Sequence, residues 1–270
     1  MQHNEYHNVT TDIKVDCVAE GAQRLNRQNR EVVREEPLTV EIEGAGTYTM
    51  MCTPCDETAL AVGFAFSEGL IRNKNDIHLL AVCPDDRQVI RMRLADGNKE
   101  QKEQRRILIT SSCGICGSEN IDKIIQSLPM AGDSLRITKE KLTRMPESLR
   151  ERQEIFRRTG GTHAVGLIRA GEMITVGEDI GRHNAFDKAV GKCILREIPT
   201  AGCVAVLSGR VSFEMAAKAA RAGVELIAAV SAPTTLAVET AQQCNITLCG
   251  FVRGKEATIY CHSHRITADC

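Results

Sequence analysis

The chain reads as an α/β protein in which a large alternating unit follows a smaller α+β one. Two patterns predict this. From Thr159 onward, short apolar runs alternate with helix-permissive segments across turns rich in Ser, Gly, Thr and Arg. Before about residue 105, paired polar–apolar alternations flank one helical pattern. Between the two units, Arg105 to Ile121 (RRILITSSCGICGSENI) sets two thiols on a glycine-hinged loop. The expected partition is a flexible lead-in over 1–20, a small α+β domain over 21–105, and an α/β domain over 106–270 bearing the Cys-x-x-Cys loop.

Leu38 to Ile42 and Thr47 to Cys52 alternate around Glu43-Gly44-Ala45-Gly46, a hairpin signature. Thr53-Pro54 ends it, and Asp56 can start a helix through Leu70 with Gly69 near its end. Ile77 to Cys83 and Gln88 to Leu94 read as a second strand pair around Pro84-Asp85-Asp86. Ile107 to Thr110 has the pattern of a buried strand, and Ser118 can cap a helix over Glu119 to Leu128. Lys139 to Arg158 is charge-rich and helix-permissive apart from Pro146, the pattern of a solvated helix or mobile connector.

Ala164 to Ile168 and Met173 to Val176 are strands around a tight turn, and Ala185 to Arg196 is a helix. Strands at Cys203 to Leu207 and Glu225 to Val230 each run through a polar turn into a helix, Phe213 to Ala222 and Leu236 to Gln243. Ile246 to Phe251 and Ala257 to Cys261 close the sheet.

The Cys113-Gly114-Ile115-Cys116-Gly117 loop has the layout of a reactive cysteine site. Glycine leaves the sulfurs unshielded, and a following helix dipole favours thiolate by roughly 0.3–1 kcal/mol. Half of a structural zinc site competes with this, with Cys52 and Cys55 as the other half. A thioredoxin-type pair would carry an aromatic before the first Cys and a Pro within the motif, both missing here. Incidental thiols are the remaining reading, for this pair and for Cys52 and Cys55.

The turns Ser208-Gly209-Arg210 and Ser231-Ala232-Pro233-Thr234-Thr235 offer backbone N–H groups and hydroxyls at helix starts, which suits phosphate. Ordinary helix capping explains either one alone. Glu178-Asp179-Ile180-Gly181-Arg182-His183-Asn184 packs five polar side chains before an apolar helix, more than capping requires. His183 is open to an acid/base role or to simple hydrogen bonding, and His163 is a similar case.

Composition excludes several classes. Lys and Arg total 34 against 35 Asp and Glu, so no global charge points to nucleic acid or a membrane surface. Aromatics are 3% and Trp is absent, which leaves few platforms for stacking single strands. No run approaches the roughly 18 apolar residues of a membrane span. Met1 to Thr11 is polar, without an apolar signal-peptide core. With 12 cysteines, the expectation is a cytoplasmic, reducing setting and mostly free thiols. Cys17, Cys83, Cys193, Cys203, Cys244, Cys249, Cys261 and Cys270 fall singly and read as small core hydrophobes.

SSCGICG, TGGTHAVGL, EDIGRHNAFDKAVG, SGRVSFEMAAKAARAG and SAPTTLAVETA occur in this order. Together they resemble the FdhD/NarQ family of formate dehydrogenase accessory sulfurtransferases, from about Arg34 to the end of the chain. The resemblance implies persulfide sulfur accepted from a cysteine desulfurase and passed to the molybdenum (or tungsten) bis-guanine-dinucleotide cofactor of formate dehydrogenase. That cofactor is a bound substrate; no permanent cofactor and no resident metal are expected. Cys113 becomes the expected persulfide carrier and Cys116 its partner. The family's guanine-dinucleotide site maps onto Phe251, Val252, Arg253, Gly254, Lys255 and Glu256, to which the anion-suited Ser208, Gly209 and Arg210, with His183, are added. The resemblance also implies a cytidine-deaminase-like, three-layer larger domain and a homodimer. The His-x-Glu and Pro-Cys-x-x-Cys zinc motifs of deaminases are missing, since Ala164-Val165 follow His163 and Ser112 precedes Cys113. A cofactor-binding chaperone without sulfur transfer is the alternative, and a zinc-stabilised interaction protein a third.

Overall fold

The computed structural model describes residues 9–18, 20, 25–95 and 118–267. Strands β1 (Thr10–Cys17) and β2 (Asn26–Val33) form an antiparallel ribbon. This corrects the expectation of a lead-in over 10–17: Ile13, Val15 and Cys17 alternate with Asp12, Lys14 and Asp16, but β2 sets Arg30, Gln28 and Asn26 opposite them, so the ribbon buries little on either face. Val33 holds its end against Val9, Cys55 and Ile155.

Next come β3 (Glu36–Ile42), β4 (Gly46–Cys52), helix α1 (Glu57–Ser67), β5 (Ile77–Val82) and β6 (Val89–Leu94). The two hairpins join through parallel pairing of β3 with β6, giving the order β4-β3-β6-β5. Leu38, Val40, Ile42, Ile90 and Met92 line its buried face beneath Leu60, Ala61 and Ala65 of α1. The outer face carries charge, including the pairs Arg91–Glu41 and Arg93–Glu43.

The second half holds α2 (Ser118–Ser127), β7 (Ile137–Thr138), α3 (Lys139–Glu151), α4 (Glu154–Thr159), β8 (His163–Arg169), β9 (Glu172–Asp179) and α5 (Arg182–Leu195). It continues with β10 (Val204–Leu207), α6 (Phe213–Arg221), β11 (Leu226–Ala229), α7 (Thr235–Gln243), β12 (Thr247–Arg253), β13 (Glu256–Cys261) and β14 (Ile266–Thr267). Six of these strands form one sheet in the order β13-β12-β11-β10-β8-β9, with β10, β11 and β12 mutually parallel. The two-residue side-chain period sorts its faces. Ala205 and Leu207 point to α5, α6 and α7, whereas Val204 and Val206 point to Leu142, Met145 and Leu149 of α3. The charge-rich 139–158 stretch is therefore two helices with a buried apolar edge rather than a connector. Pro146 lies inside α3.

Of two packing features, the first joins the halves and the second closes the larger one. Helix α1 crosses α5 at Gly63 and Gly191, where a Cβ would stand 1.9 Å from Asp187 O and Ala59 O respectively. Near β14, the wholly buried Arg265 guanidinium donates to Thr247 Oγ1 at 3.1 Å and Gly132 O at 2.6 Å, and lies 3.7 Å from Glu225. Among the described residues no helix is long and apolar enough to cross a membrane.

Candidate functional site at the sheet edge

One edge of the six-stranded sheet gathers the polar turns. It comprises the carboxyl ends of β10, β11 and β12, the end of β9, and the start of β8, since His163 pairs with Asp179 and Leu207 with Val165. Ligands of α/β proteins bind at such carboxyl edges. The two expected turns meet there: Val211 N donates to Ala232 O at 3.2 Å, and Thr234 N to Val211 O at 2.9 Å. Helix α6 starts from the first turn and α7 from the second, where the Thr234 hydroxyl accepts from Ala237 N.

Ser208 is spent on the sheet, because its Oγ accepts from Ala164 N at 2.9 Å. Gly209 lies against His163, whose Nδ1 would be 3.2 Å from a Cβ at that position. Arg210 is exposed. Burial, and then the charges of Arg182, Arg210 and His183, push the His163 pKa down. Four basic side chains thus share this edge. Arg182 Nε is buried with no hydrogen-bond partner among the described residues. His183 Nε2 is 2.7 Å from Glu214 Oε2 and 3.4 Å from Ser212 Oγ. The hydrogen bond to His183 holds the Glu214 carboxyl below its usual range, against burial.

At the end of β12, Phe251 has φ of 52° and donates its N–H to Ser231 O at 3.2 Å. The residue is 39% exposed, with the Arg253 guanidinium carbon 5.9 Å from its ring centroid. Gly254, Lys255 and Glu256 turn the chain into β13 and are exposed. Val252 differs from its neighbours: its side chain is wholly buried on the α3 side, so only its backbone faces the edge.

Cys113 and Cys116 lie outside the described residues, as does the strand expected over 107–110. Helix α2, which follows them in sequence, is placed by its apolar side. Ile124 and Ile125 pack on Phe213, with Ile121 and Leu236 against them, and beyond the helix Ala131 N donates to Cys244 O at 2.8 Å. Helix α2 therefore runs alongside α7 in the same direction and starts at the polar edge.

Cys52 and Cys55 are buried, and burial pushes both thiols up to about 12 despite Lys188 nearby. Such thiols are poor nucleophiles. Of the single cysteines, Cys83, Cys193, Cys203, Cys244 and Cys249 are buried, Cys17 and Cys261 are half-buried, and Cys270 is not among the described residues.

Sequence reasoning named Glu178 and Asp179 in the polar run but missed Lys188 and the buried partners of all three. Glu178 accepts from Ile155 N, Phe156 N and Thr162 Oγ1, which fixes the start of α4. Asp179 and Lys188 form an ion pair with both side chains fully buried. The available signal was a lysine at an interior position of an otherwise apolar helix face.

Comparison with known proteins shows the family and the fold. The FdhD/NarQ family model matches residues 33–267. A Streptomyces coelicolor protein named sulfur carrier protein FdhD is 37% identical over 272 residues, covering 96% of each chain. One of the same name from Bordetella parapertussis is 39% identical over 254 residues, covering 92% of this chain and 91% of its own. The crystal structure of a protein from Desulfotalea psychrophila, assigned as a formate dehydrogenase accessory protein, superposes with a TM-score of 0.77 at 20% identity. It spans 96% of this chain and 100% of its own, a likeness of fold. This chain belongs to the FdhD/NarQ family.

Proposed function

We propose that this protein is a sulfur carrier and sulfurtransferase. It takes persulfide sulfur from a cysteine desulfurase on Cys113, with Cys116 as partner, and delivers it to a molybdenum or tungsten bis(molybdopterin guanine dinucleotide). That cofactor is the substrate, sulfurated for formate dehydrogenase. The setting is the cytoplasm, the assembly a homodimer, and the larger unit cytidine-deaminase-like without the zinc ligands.

The observation that carries the reading is the unpartnered, buried Arg182 Nε among the basic side chains of the sheet edge. A buried donor left unpaired costs roughly 1–3 kcal/mol, and a phosphate oxygen would satisfy it. The starts of α6 and α7 add partial positive charge at the same edge. The exposed Arg210, Arg253 and Lys255 supply further positive charge, and Phe251 offers a face for a guanine. Relatives matching nearly the whole chain bear the name sulfur carrier protein.

The thiol chemistry balances without a resident metal. A Cys113 thiolate attacks the outer sulfur of the desulfurase persulfide, giving a Cys113 persulfide and the desulfurase thiolate. Cys116 thiolate attacking the inner sulfur then releases hydrosulfide for the substrate and leaves a Cys113–Cys116 disulfide, which a dithiol reductant must reopen.

Intact-protein mass spectrometry after incubation with a cysteine desulfurase and cysteine tests this. One added sulfur is expected on wild type, abolished by Cys113→Ala. Loss only in Cys116→Ala would reverse the roles. No added sulfur, with the desulfurase active, would replace transfer by a chaperone that only binds the cofactor.

A further inference from the structure

The loop that carries Arg182 and His183 to the edge is anchored from below. Lys188 projects from α5 and is 0% exposed. Its ammonium donates to Asp179 Oδ2 at 2.7 Å, Thr53 O at 2.9 Å and Glu178 O at 3.2 Å, with Cys55 Sγ at 3.6 Å. Three donors meet three oxygens, so none is left for a ligand. Asp179 is equally engaged: Oδ2 also accepts from Thr53 N at 3.1 Å, and Oδ1 accepts from Gly181 N at 2.8 Å and Asn184 Nδ2 at 3.0 Å. Ile180 N donates to Thr53 Oγ1 at 3.1 Å, and Asn184 Nδ2 also to Met51 O at 2.8 Å.

We infer that Asp179 and Lys188 are positioning residues for the anion-binding edge, clamping Ile180–Asn184 onto the Met51–Thr53 segment and thereby setting where Arg182 and His183 stand. An ion pair taken wholly out of water gains little stability over apolar residues of the same volume. What this pair supplies is directional: one carboxylate accepts from the Thr53 and Gly181 backbone N–H groups, the Asn184 side-chain amide and the Lys188 ammonium. The clamp also ties the end of β4 to the end of β9, so the two sheets jointly place the loop. The inference deepens the nucleotide reading above and rests on it for the affinity measurement alone.

The test combines hydrogen–deuterium exchange of the 180–184 amides with calorimetric titration of guanosine diphosphate into the full chain. Wild type is compared with Lys188→Met, Asp179→Leu/Lys188→Met and Thr53→Val. Lys188→Met, which strands a buried carboxylate, is expected to melt lower and exchange faster. The double variant, free of unpaired buried charge, is expected to regain most of the melting temperature. It should still exchange fast at 180 and 181 and bind about tenfold more weakly. Thr53→Val keeps the ion pair and should speed exchange at Ile180, which decides the matter if the double variant does not fold. A double variant with wild-type exchange and affinity, or an Ile180 amide indifferent to Thr53→Val, overturns the inference. Wild type that ignores guanosine diphosphate would overturn the nucleotide reading, while the exchange data still decide the clamp.

Discussion

Phe251 combines a left-handed backbone with an exposed ring beside a cation. That conformation costs a non-glycine residue roughly 1–2 kcal/mol, and the ring recovers little of it by burial. Strain of this kind collects at ligand sites. Phe251→Gly should therefore separate two effects. It removes the strain, for a gain of up to about 1 kcal/mol, and it deletes a stacking surface worth about 1–3 kcal/mol per base. A higher melting temperature with affinity for guanosine diphosphate about tenfold or more lower is expected, and Phe251→Tyr should restore binding. Equal affinity in Phe251→Gly would remove the ring from the site.

Among elements, the α1–α5 crossing depends on the absence of two side chains. Alanine at Gly191 would gain about 1 kcal/mol of helix propensity, yet its Cβ would meet the Ala59 carbonyl 1.9 Å away. A backbone atom cannot swing aside, so overpacking of roughly 1–3 kcal/mol or more wins. Gly191→Ala should melt several degrees lower, with Gly171→Ser, at an open surface turn, a milder comparison. The elements with a strong period were legible in sequence: both N-terminal hairpins, the alternating strands and helices after Thr159, and the two phosphate-suited turns. The β1–β2 ribbon was not, since β1 alternates through Ile13, Val15 and Cys17 but β2 opens on six polar residues and shows no period to pair with it. Nor was the role of 139–158, where three apolar side chains, Leu142, Met145 and Leu149, anchor a helix whose charges dominate its composition. Of the site, the turns and the polar 178–184 run were visible. The Asp179–Lys188 clamp was hidden because its partners, Thr53 and Met51, lie more than a hundred residues away in sequence.

For the whole molecule, pH dependence should carry the mark of Glu68, at the end of α1. Burial pushes its carboxyl up to about 7, while Lys218 and Arg221 pull it down, and Asp187 and Glu214 add to the rise. Its Oε2 is buried without a hydrogen-bond partner among the described residues. The folded-state pKa exceeds the unfolded one, so folding binds a proton. This contribution is complete below the ordinary carboxylate range and is lost as pH rises toward 7. Glu68→Gln should flatten the fall in melting temperature between about pH 5 and 8 and melt above wild type at the upper end. Parallel profiles for the two proteins would exclude Glu68 as the source.

Arg265 sets a timetable for synthesis. Its guanidinium sits between Glu225, Thr247 and the Gly132 carbonyl, and β14 pairs in parallel with β7 from the start of the same half. On the ribosome, every strand of the four-stranded and six-stranded sheets is made before this residue exists. Until it emerges, Glu225 is a carboxylate bound for the interior without its cation. The α/β unit therefore completes its core late, as one long-range closure, whereas the β3–β6 sheet can form while translation continues.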